Sequence, residues 1–424
     1  MGACEIVGRL TLGEFVELQR GTTYKSSLLD RPGPLLLGLA SIQRNGGFRS
    51  DSLRPYGGAS PDKLILRPGD LYVSLKDVTQ SADLLGAVAR VPTYVDRGRL
   101  TQDTVKLVFK EDRIPPNYLY WVLRTPAYRE YCRAHAIGTT NLSLSRDDFF
   151  AFPISIPNSD GLILVATLEA LDEKIELNHR MSETLEAMAR TLFTSWFFKE
   201  LREGCLEEDV DQLFERKILQ VGDGYRAKND EMGPMGLPFA RAGNIDNGFS
   251  FRNADLLSEK SVAKAGDKVS RPYDVVFTSK GTVGRFAFVD PAMQSFVYSP
   301  QLCFWRSLDH NILNPFVLQQ WIQSRWFLDQ VDRVKGQTDM AEYVSLRDQR
   351  RMRISIPSPA AQRGIADILS SIQNKVWKNV AESKTLTDCR DLLLSRLLAS
   401  ENGAAGTTRP LKRRPQEEDP RLPT

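Results

Sequence analysis

The chain contains one long pattern twice, and this duplication limits the folds open to it. The segment LDEKIELN at 171–178 has a counterpart, IQNKVWKN, at 372–379, which is 201 positions later. Both place Lys and Asn at the same steps among apolar residues. The likeness extends upstream, where 136–157 and 334–359 each contain a G-x-T turn, a polar stretch with Ser-Leu, and Ile-Ser-Ile-Pro. The sequence predicts a tandem duplication of a unit of about 200 residues, far longer than the ~20–50 residues of solenoid repeats.

Each copy predicts a unit that mixes strands and helices. The stretch LRPGDLYVSLKD (66–77) matches SRPYDVVFTSKG (270–281), because both give a turn, an Asp, a β-rich run and then Ser and Lys. The segments 117–132 and 315–330 are aromatic-rich and have the pattern of amphipathic helices. With 424 residues and 42% hydrophobic content, the chain can bury such cores. We expect the α+β class, with two similar mixed α/β domains.

After each Ile-Ser-Ile-Pro the pattern changes to a long helix. Apolar residues of the first helix recur at steps of four and three, the ~3.5-residue period of a coiled coil. Adding 201 to each position gives a second series with mostly similar residue types. The inward positions, which we call the seam, are centred on Leu168, Leu171, Ile175, Asn178 and Leu185 in the first helix and on Leu369, Ile372, Val376, Asn379 and Leu386 in the second.

The matched seams predict that the two helices pack on each other as an antiparallel, pseudo-twofold coiled coil. A buried Asn weakens such a seam but fixes its register, and both helices place an Asn near the middle. Each helix should span about 33 residues, or roughly 50 Å. Two separate core helices, each docked on its own domain, are the alternative. The aromatic-rich end of the first helix, 191–198, either completes a core or binds a partner subunit.

The sequence lacks the motifs of the common catalytic and metal sites. Its five cysteines show no C-x-x-C spacing, which argues against a zinc ribbon or a disulfide framework and favours a reducing compartment. The three histidines are isolated, and no G-x-S-x-G elbow or Walker loop occurs. No apolar run has the length of a signal peptide core or a membrane span. We expect a soluble cytoplasmic protein that is not itself an enzyme.

Several loops have the composition of nucleic-acid contacts, and they recur in both copies. Arg reads guanine and Asn or Gln reads adenine in the major groove, whereas Lys, Ser and Thr hold phosphates. Because the net charge is only +3, any nucleic-acid surface must be local. The candidate DNA-binding residues are Arg20, Thr22, Thr23, Tyr24, Lys25, Arg44, Asn45, Lys76, Thr139, Thr140, Asn141, Arg241, Asn244, Ser279, Lys280, Thr282, Arg285, Gln337 and Thr338. The basic run RDQRRMR at 347–353 either follows phosphates or merely precedes a strand.

The order of these parts resembles the specificity (S) subunit of type I restriction–modification systems. The resemblance covers about residues 8–400 and is carried by LGEFVELQRGTTYK, RPGDLYVSLKD, GTTNLSLSRDDFFAFPISIP and, most specifically, LEALDEKIELNHRMSETLEAMARTLFTSWF. The second half matches less strongly, through ISIPSPAAQRGIADILSSIQNKV.

The resemblance implies a function and a set of partners. It implies two target-recognition domains that each bind one half of a split sequence in double-stranded DNA, held apart by the paired helices. It also implies two modification (methyltransferase) subunits and restriction subunits as partners, in defence against foreign DNA. S-adenosylmethionine, ATP and Mg would be bound by those partners and no cofactor by this chain. A longer spacer helix should then give a longer gap between the half-sites.

We expect five segments along the chain. They are a first target-recognition domain (1–157), a first spacer helix (158–203), a second target-recognition domain (204–357), a second spacer helix (358–400) and a disordered tail (401–424), whose composition is rich in Pro, Gly and charge. Two other functions remain open at this point. A coiled-coil scaffold without DNA specificity would show no salt-dependent DNA affinity, and a hydrolase or nuclease with an unfamiliar site would be active as the purified chain.

Overall fold

The structure is a computed structural model that describes residues 10–139, 141–245, 248–252, 254–281, 283–335 and 342–397. The predicted tail lies outside these residues. The chain divides into two compact units. Unit 1 comprises Met1–Ile175 and Lys384–Thr424, and unit 2 comprises Glu176–Ser383. Both boundaries fall inside the long helices, so each unit contains part of both helices.

Unit 1 is built from short strands and helices that precede the first long helix. The strands are β1 (Val16–Arg20), β2 (Leu35–Leu37), β3 (Ile65–Leu66), β4 (Leu71–Ser74), β5 (Lys76–Asp77), β6 (Val88–Arg90), β7 (Gly98–Leu100), β8 (Thr104–Phe109) and β9 (Leu142–Ser143). The helices are α1 (Leu12–Phe15), α2 (Pro116–Val122), α3 (Pro126–Ala134) and α4 (Arg146–Ala151), with short 3-10 turns at Ser26–Leu28, Leu39–Ser41 and Asp62–Leu64. The first long helix, α5 (Ser159–Glu203), follows and continues into unit 2.

Unit 2 follows the same plan. Its strands are β10 (Leu206–Asp209), β11 (Leu219–Asp223), β12 (Met232–Gly233), β13 (Leu237–Ala240), β14 (Leu256–Leu257), β15 (Val275–Thr278), β16 (Phe286–Phe288), β17 (Val297–Tyr298), β18 (Leu302–Ser307) and β19 (Arg353–Ile356). Its helices are α6 (Val210–Glu215), α7 (Glu259–Ala265), α8 (Pro315–Ile322), α9 (Arg325–Lys335), α10 (Leu346–Arg350) and α11 (Pro359–Leu394), with 3-10 turns at Asn229–Glu231, Ala242–Asn244 and Gly266–Lys268.

The two units have equivalent sheets, as the duplication predicts. Unit 1 has a four-stranded antiparallel sheet in the order β1-β8-β4-β6, and unit 2 has one in the order β11-β18-β15-β16. A second sheet, which we call the small sheet, has three strands in unit 1 and four in unit 2. It contains a parallel pair in each unit, β2 with β7 and β13 with β17. The α+β duplication predicted from the sequence is therefore confirmed.

The central strands bury both faces, which explains their continuous apolar runs. In β4, Leu71 and Val73 face the helices while Tyr72 faces the small sheet. In β15, Val275 and Phe277 face the helices while Val276 faces the small sheet. Alternate side chains of a strand point to opposite faces, so each strand joins two cores.

Both long helices begin with a side-chain cap, and α5 also ends at a glycine. Asn158 accepts a hydrogen bond from the Gly161 N–H at 2.8 Å before α5, and Gly204, with φ +107°, follows its last turn. Ser358 accepts from the Ala361 N–H at 3.3 Å before α11. The helices contain 45 and 36 residues, or roughly 68 and 54 Å, so α5 is longer than its seam pattern predicted.

The long helices pair in the antiparallel sense within each unit. In unit 1, Arg390 of α11 donates to Asp172 of α5 at 2.8 Å. In unit 2, Asn178 donates to Glu382 at 2.8 Å and Asn379 donates to Ser182 at 3.2 Å. Numbers rise along one helix as they fall along the other, which confirms the predicted antiparallel coiled coil.

The seam shifts along the helix in its second half. Leu192, which continues the 3.5-residue series, is 41% exposed, whereas Phe193 is 1% exposed and stacks on Phe197. A straight helix has 3.6 residues per turn and drifts away from a strict 3.5 period, so the buried face moves by one residue. Phe193 and Phe197 complete the unit 2 core, while Phe198 is half exposed against Trp326.

Each unit has an acid in an ion pair at the same turn of the repeat, buried in unit 2 and partly exposed in unit 1. In unit 2, Asp274 accepts from Arg306 through both carboxylate oxygens at 2.6 and 2.7 Å, and from the Tyr298 hydroxyl at 2.7 Å. The two side chains of this ion pair are 0% and 4% exposed. In unit 1, Asp70 pairs with Lys106, and these side chains are about a quarter exposed.

We predict that Asp274→Asn lowers the free energy of unfolding of unit 2 by about 3–5 kcal/mol, because it leaves the buried Arg306 charge without a carboxylate. Asp70→Asn is the matched control and should cost clearly less, since water reaches that pair. Hydrogen exchange of β15 and β4 across a urea series measures the two losses separately. Equal losses in the two units would contradict this account.

Candidate nucleic-acid interface

The topology brings the candidate residues of unit 1 to one edge of the four-stranded sheet. Strands β1 and β4 both run antiparallel to β8, so both end at the edge where β8 begins. Arg20 is the last residue of β1, and Lys76 lies two residues after β4. We call this edge, with the loops 20–25, 43–47 and 138–141, the first loop edge.

The loop 20–25 is held in a defined shape by a buried arginine. The Arg99 guanidinium, 3% exposed as a residue, donates to the Thr22 hydroxyl at 3.1 Å and to the Thr23 carbonyl at 3.2 Å. Tyr24 packs edge-on against Tyr56 at 6.1 Å. The side chains of residues 20 and 22–25 are exposed. A fixed, exposed loop with cationic and hydroxyl side chains suits DNA contacts, and Arg99 was not identified from the sequence.

Lys76 lies beside the turn 138–141. Strand β5 pairs Lys76 with Ser143, and Ile137 also bridges to Ser143, which closes the turn between them. Gly138 has φ +111°, a conformation that favours glycine. Thr139 and Asn141 are exposed, and the Lys76 ammonium lies 3.5 Å from Asp103 with its side chain 54% exposed. Thr140 lies outside the described residues.

The loop 43–47 joins the same edge through a backbone contact. The Asn45 N–H donates to the Asp83 carbonyl at 2.8 Å, close to the start of β6. The Asn45 side-chain oxygen accepts from Arg133 at 3.2 Å, and the residue has φ +63°. Arg44 is exposed. Arg44 therefore extends from this loop, while Asn45 shapes it.

In unit 2 the equivalent edge, where β11 and β15 end, carries the candidate loop 279–285. We call it, with the loop 241–245, the second loop edge. Lys280 bridges to Tyr343, and its ammonium lies 4.6 Å from the ring centroid, a cation–π contact. Arg285 is exposed. Thr282 lies outside the described residues, as do Gln337 and Thr338.

Ser279 does not reach the surface. It is 1% exposed, and its hydroxyl donates to the Gln301 carbonyl at 3.4 Å. Its own backbone pairs with Gln301 and Val344 on either side. The sequence pattern Ser-Lys suggested a phosphate contact, but the strand pleat turns Ser279 inward. Its contribution is to the position of Lys280.

The loop 241–245 lies next to the start of β18. The Ala242 N–H donates to the Gln301 side chain at 3.2 Å, and Arg241 pairs with the exposed Asp255. The Asn244 amide uses both ends internally, accepting from the Arg241 N–H at 2.8 Å and donating to the Ser250 carbonyl at 2.9 Å. Bidentate adenine contacts need both ends of an amide, so Asn244 serves as a loop cap in this arrangement.

The loop after β11 is part of this edge, although the sequence did not single it out. Glu231 accepts from the Lys228 N–H at 3.0 Å, from the Lys264 ammonium at 2.9 Å and from the Tyr225 hydroxyl at 3.0 Å. The Lys228 N–H and the Lys264 side chain lower the pKa of the Glu231 carboxyl to about 2. The duplication could have identified this loop from the sequence, because Gly224 after β11 corresponds to Gly21 after β1.

All ten seam residues lie on the inner side of their helices. Leu168, Ile175, Asn178, Leu369, Val376 and Asn379 are buried, and Leu171, Leu185, Ile372 and Leu386 are half-buried. The two asparagines are each 1% exposed. They form the polar layer of the seam in unit 2.

The described residues contain no group of three or more His, Cys, Asp or Glu that could hold a metal ion. Within the same part of the chain, no helix is both long and apolar enough to cross a membrane.

Comparisons with known proteins agree with this architecture. No protein-family model matches the chain. The specificity subunit of the type I restriction enzyme MjaIX of Methanocaldococcus jannaschii is 22% identical over 332 residues, which are 74% of this chain and 74% of that protein. The crystal structure of a type I restriction–modification S subunit from M. genitalium has a TM-score of 0.53 at 16% identity, over 91% of this chain and 94% of that one.

This chain is related to the specificity subunits of type I restriction enzymes. The resemblance drawn from the sequence is thereby confirmed. An HsdS subunit from Thermoanaerobacter tengcongensis also matches, over 91% of this chain and 95% of that one, at 18% identity and with a TM-score of 0.31. This kinship agrees with the expectation that the chain is not itself an enzyme.

We predict that Gly224→Ala displaces the loop after β11. A Cβ at Gly224 would lie 2.0 Å from the Ser299 carbonyl oxygen, so backbone must move, at a cost of about 1–3 kcal/mol. Gly243→Ala is the matched control in the neighbouring loop, because no atom lies within 4 Å of its Cβ. Thermal melting should show a lower Tm for Gly224→Ala alone. Indistinguishable melting of the two variants would refute the predicted clash.

Proposed function

We propose that the chain is a DNA-sequence recognition subunit that binds a bipartite target, with one unit for each half-site. The observation that carries the proposal is the duplicated architecture itself. Each unit repeats the same sheet and presents a loop edge at the same place in that sheet. A single chain that contains two copies of this sheet and its loop edge is suited to a target with two separate parts.

The chemistry of the loop edges supports a nucleic-acid partner. Exposed Arg20, Lys25 and Lys76 lie on the first loop edge, and exposed Arg285 lies on the second. Arg and Lys contact phosphates and guanine edges, while Thr hydroxyls bind phosphates. The loops that carry them are fixed by buried partners, so little conformational entropy is lost on binding.

The sheets of the two units are alike but their exposed loops differ in sequence, which favours two different half-sites. After equivalent glycines, Gly21 and Gly224, the first unit has TTYK and the second has YRAK. Both glycines approach a carbonyl closely, since an added Cβ would lie 1.8 Å from Thr101 and 2.0 Å from Ser299. The backbone path is therefore shared while the exposed side chains change.

We propose further that the paired helices set the gap between the half-sites and seat the partner subunits. These partners are two modification subunits, which methylate adenine, and restriction subunits. S-adenosylmethionine, ATP and Mg then belong to the partners. The proposed substrate is chromosomal and foreign DNA, so we place the function in the cytoplasm.

A variant in which both units have the recognition region of unit 1 tests the proposal. Residues 209–357 of unit 2 are replaced by residues 11–157 of unit 1, since the backbone contacts at both junctions are equivalent, Leu12 to Phe152 and Val210 to Met352 at 2.9 Å each. The variant is co-expressed with the modification subunit, and methyladenine in host DNA is mapped by single-molecule sequencing. We expect a new target built from two inverted copies of one half of the wild-type motif.

The natural chain, expressed in the same way, is the control. A variant that assembles with the modification subunit but methylates the unchanged wild-type motif would contradict the assignment of one half-site to each unit. Loss of assembly is recognised by size-exclusion chromatography before sequencing.

A further inference from the structure

Unit 2 contains a basic cleft at the run 347–353, and none of the candidate DNA-binding residues lines it. Its volume is about 330 Å³, and it is lined by Asp211, Leu346, Arg347, Arg350 and Arg351. These residues come from α6, from α10 and from the residue after α10. Three arginines against one aspartate leave the lining with a surplus of two positive charges.

One arginine is fixed by the fold and two are available to a ligand. Arg350 lies 3.8 Å from the Asp211 carboxylate, and its guanidinium carbon lies 4.0 Å from the centroid of Phe214. Arg347 and Arg351 are exposed, and no carboxylate among the described residues forms an ion pair with either. The nearby Asp348 is occupied as the N-terminal cap partner of Ser345.

The equivalent place in unit 1 shows that the fold does not require these arginines. Ser145 and Ser345 cap α4 and α10 in the same way, so the two helices correspond with an offset of 200. Unit 1 has Asp147, Phe150 and Ala151 where unit 2 has the three arginines.

Unit 1 also closes the space that forms the cleft in unit 2. Gly13 stands where unit 2 has Asp211, and an added Cβ there would lie 2.9 Å from the Phe150 Cβ. The equivalent helices in unit 1 are therefore held together by an apolar contact at this position, without any of the three arginines.

We propose that the cleft binds a phosphodiester group of the DNA backbone, through Arg347 and Arg351, and that only unit 2 has this contact. The fork of a guanidinium matches the oxygens of a phosphate. The segment just before the cleft pairs with the second loop edge through its backbone. The Val344 N–H donates to the Ser279 carbonyl at 3.0 Å, and the Glu342 carbonyl accepts from the Gly281 N–H at 3.1 Å. This inference rests on the proposed function and adds an asymmetric, sequence-independent contact to it.

The test is the salt dependence of DNA binding by the assembled methyltransferase complex. The affinity of the double variant Arg347→Gln and Arg351→Gln is compared with that of the natural chain. Two DNA duplexes are used, one that contains the sequence motif methylated by the complex and one that lacks this motif. Each phosphate contact contributes about 0.9 to the slope of log K against log salt. We expect the slope to become shallower by about 0.9 on both duplexes, while the methylated motif stays the same.

A second double variant separates a bound phosphate from general charge. Arg271→Gln and Arg325→Gln remove the same charge from unit 2 at exposed ion pairs outside the cleft, with Asp267 and Asp329. The slope of log K against log salt for this control should differ from that of the natural chain by no more than about 0.3. A change equal to that of the cleft variant would overturn the proposal, because only long-range charge would then be acting.

Two further outcomes also overturn the cleft assignment. One is that the cleft variant has the same salt-dependence slope as the natural chain. The other is that the cleft variant binds DNA normally but loses a modification subunit, which would make the cleft a protein-docking site. Failure of the proposed function looks different, since the natural complex itself would then not distinguish the two duplexes. Circular dichroism confirms that each variant is folded.

Discussion

The core of each unit is completed by both long helices, and the rest of the structure depends on this constraint. In unit 1, Val165 and Leu168 of α5 lie in one core with Leu394, the last residue of α11, and Leu397 just beyond it. In unit 2, residues 189–197 of α5 share a core with residues 365–369 of α11. Burying each such side chain contributes roughly 1.5–3 kcal/mol. Neither unit can therefore be complete without residues from distant parts of the chain.

With the helical face of each sheet covered, the loops at one sheet edge are left for binding. Buried cations and acids fix these loops at their bases, as Arg99 does in unit 1 and the Glu231 network does in unit 2. The fold thus separates the tasks of its residues. The buried frame is common to both copies, and the exposed loops differ between them, which is the arrangement expected of a protein that binds two unlike half-sites.

The sequence predicted the parts of the fold that repeat, because two copies of one pattern report the same buried positions. It identified the duplication, the long helices and their antiparallel pairing. It did not predict that Ser279 is buried or that Asn244 is occupied within its own loop. Nor did it identify Arg99, whose partner Thr22 is 77 residues away. Such side-chain partners depend on tertiary contacts, and residue type alone cannot specify them.

The most direct test of DNA recognition compares adenine methylation in the natural host with the gene for this chain intact and with it deleted. Single-molecule sequencing records both methylomes, and the modification subunit is quantified in both strains. This account predicts that methyladenine disappears from one bipartite motif when the gene is deleted. An unchanged set of methylated motifs, with the modification subunit present, would contradict it.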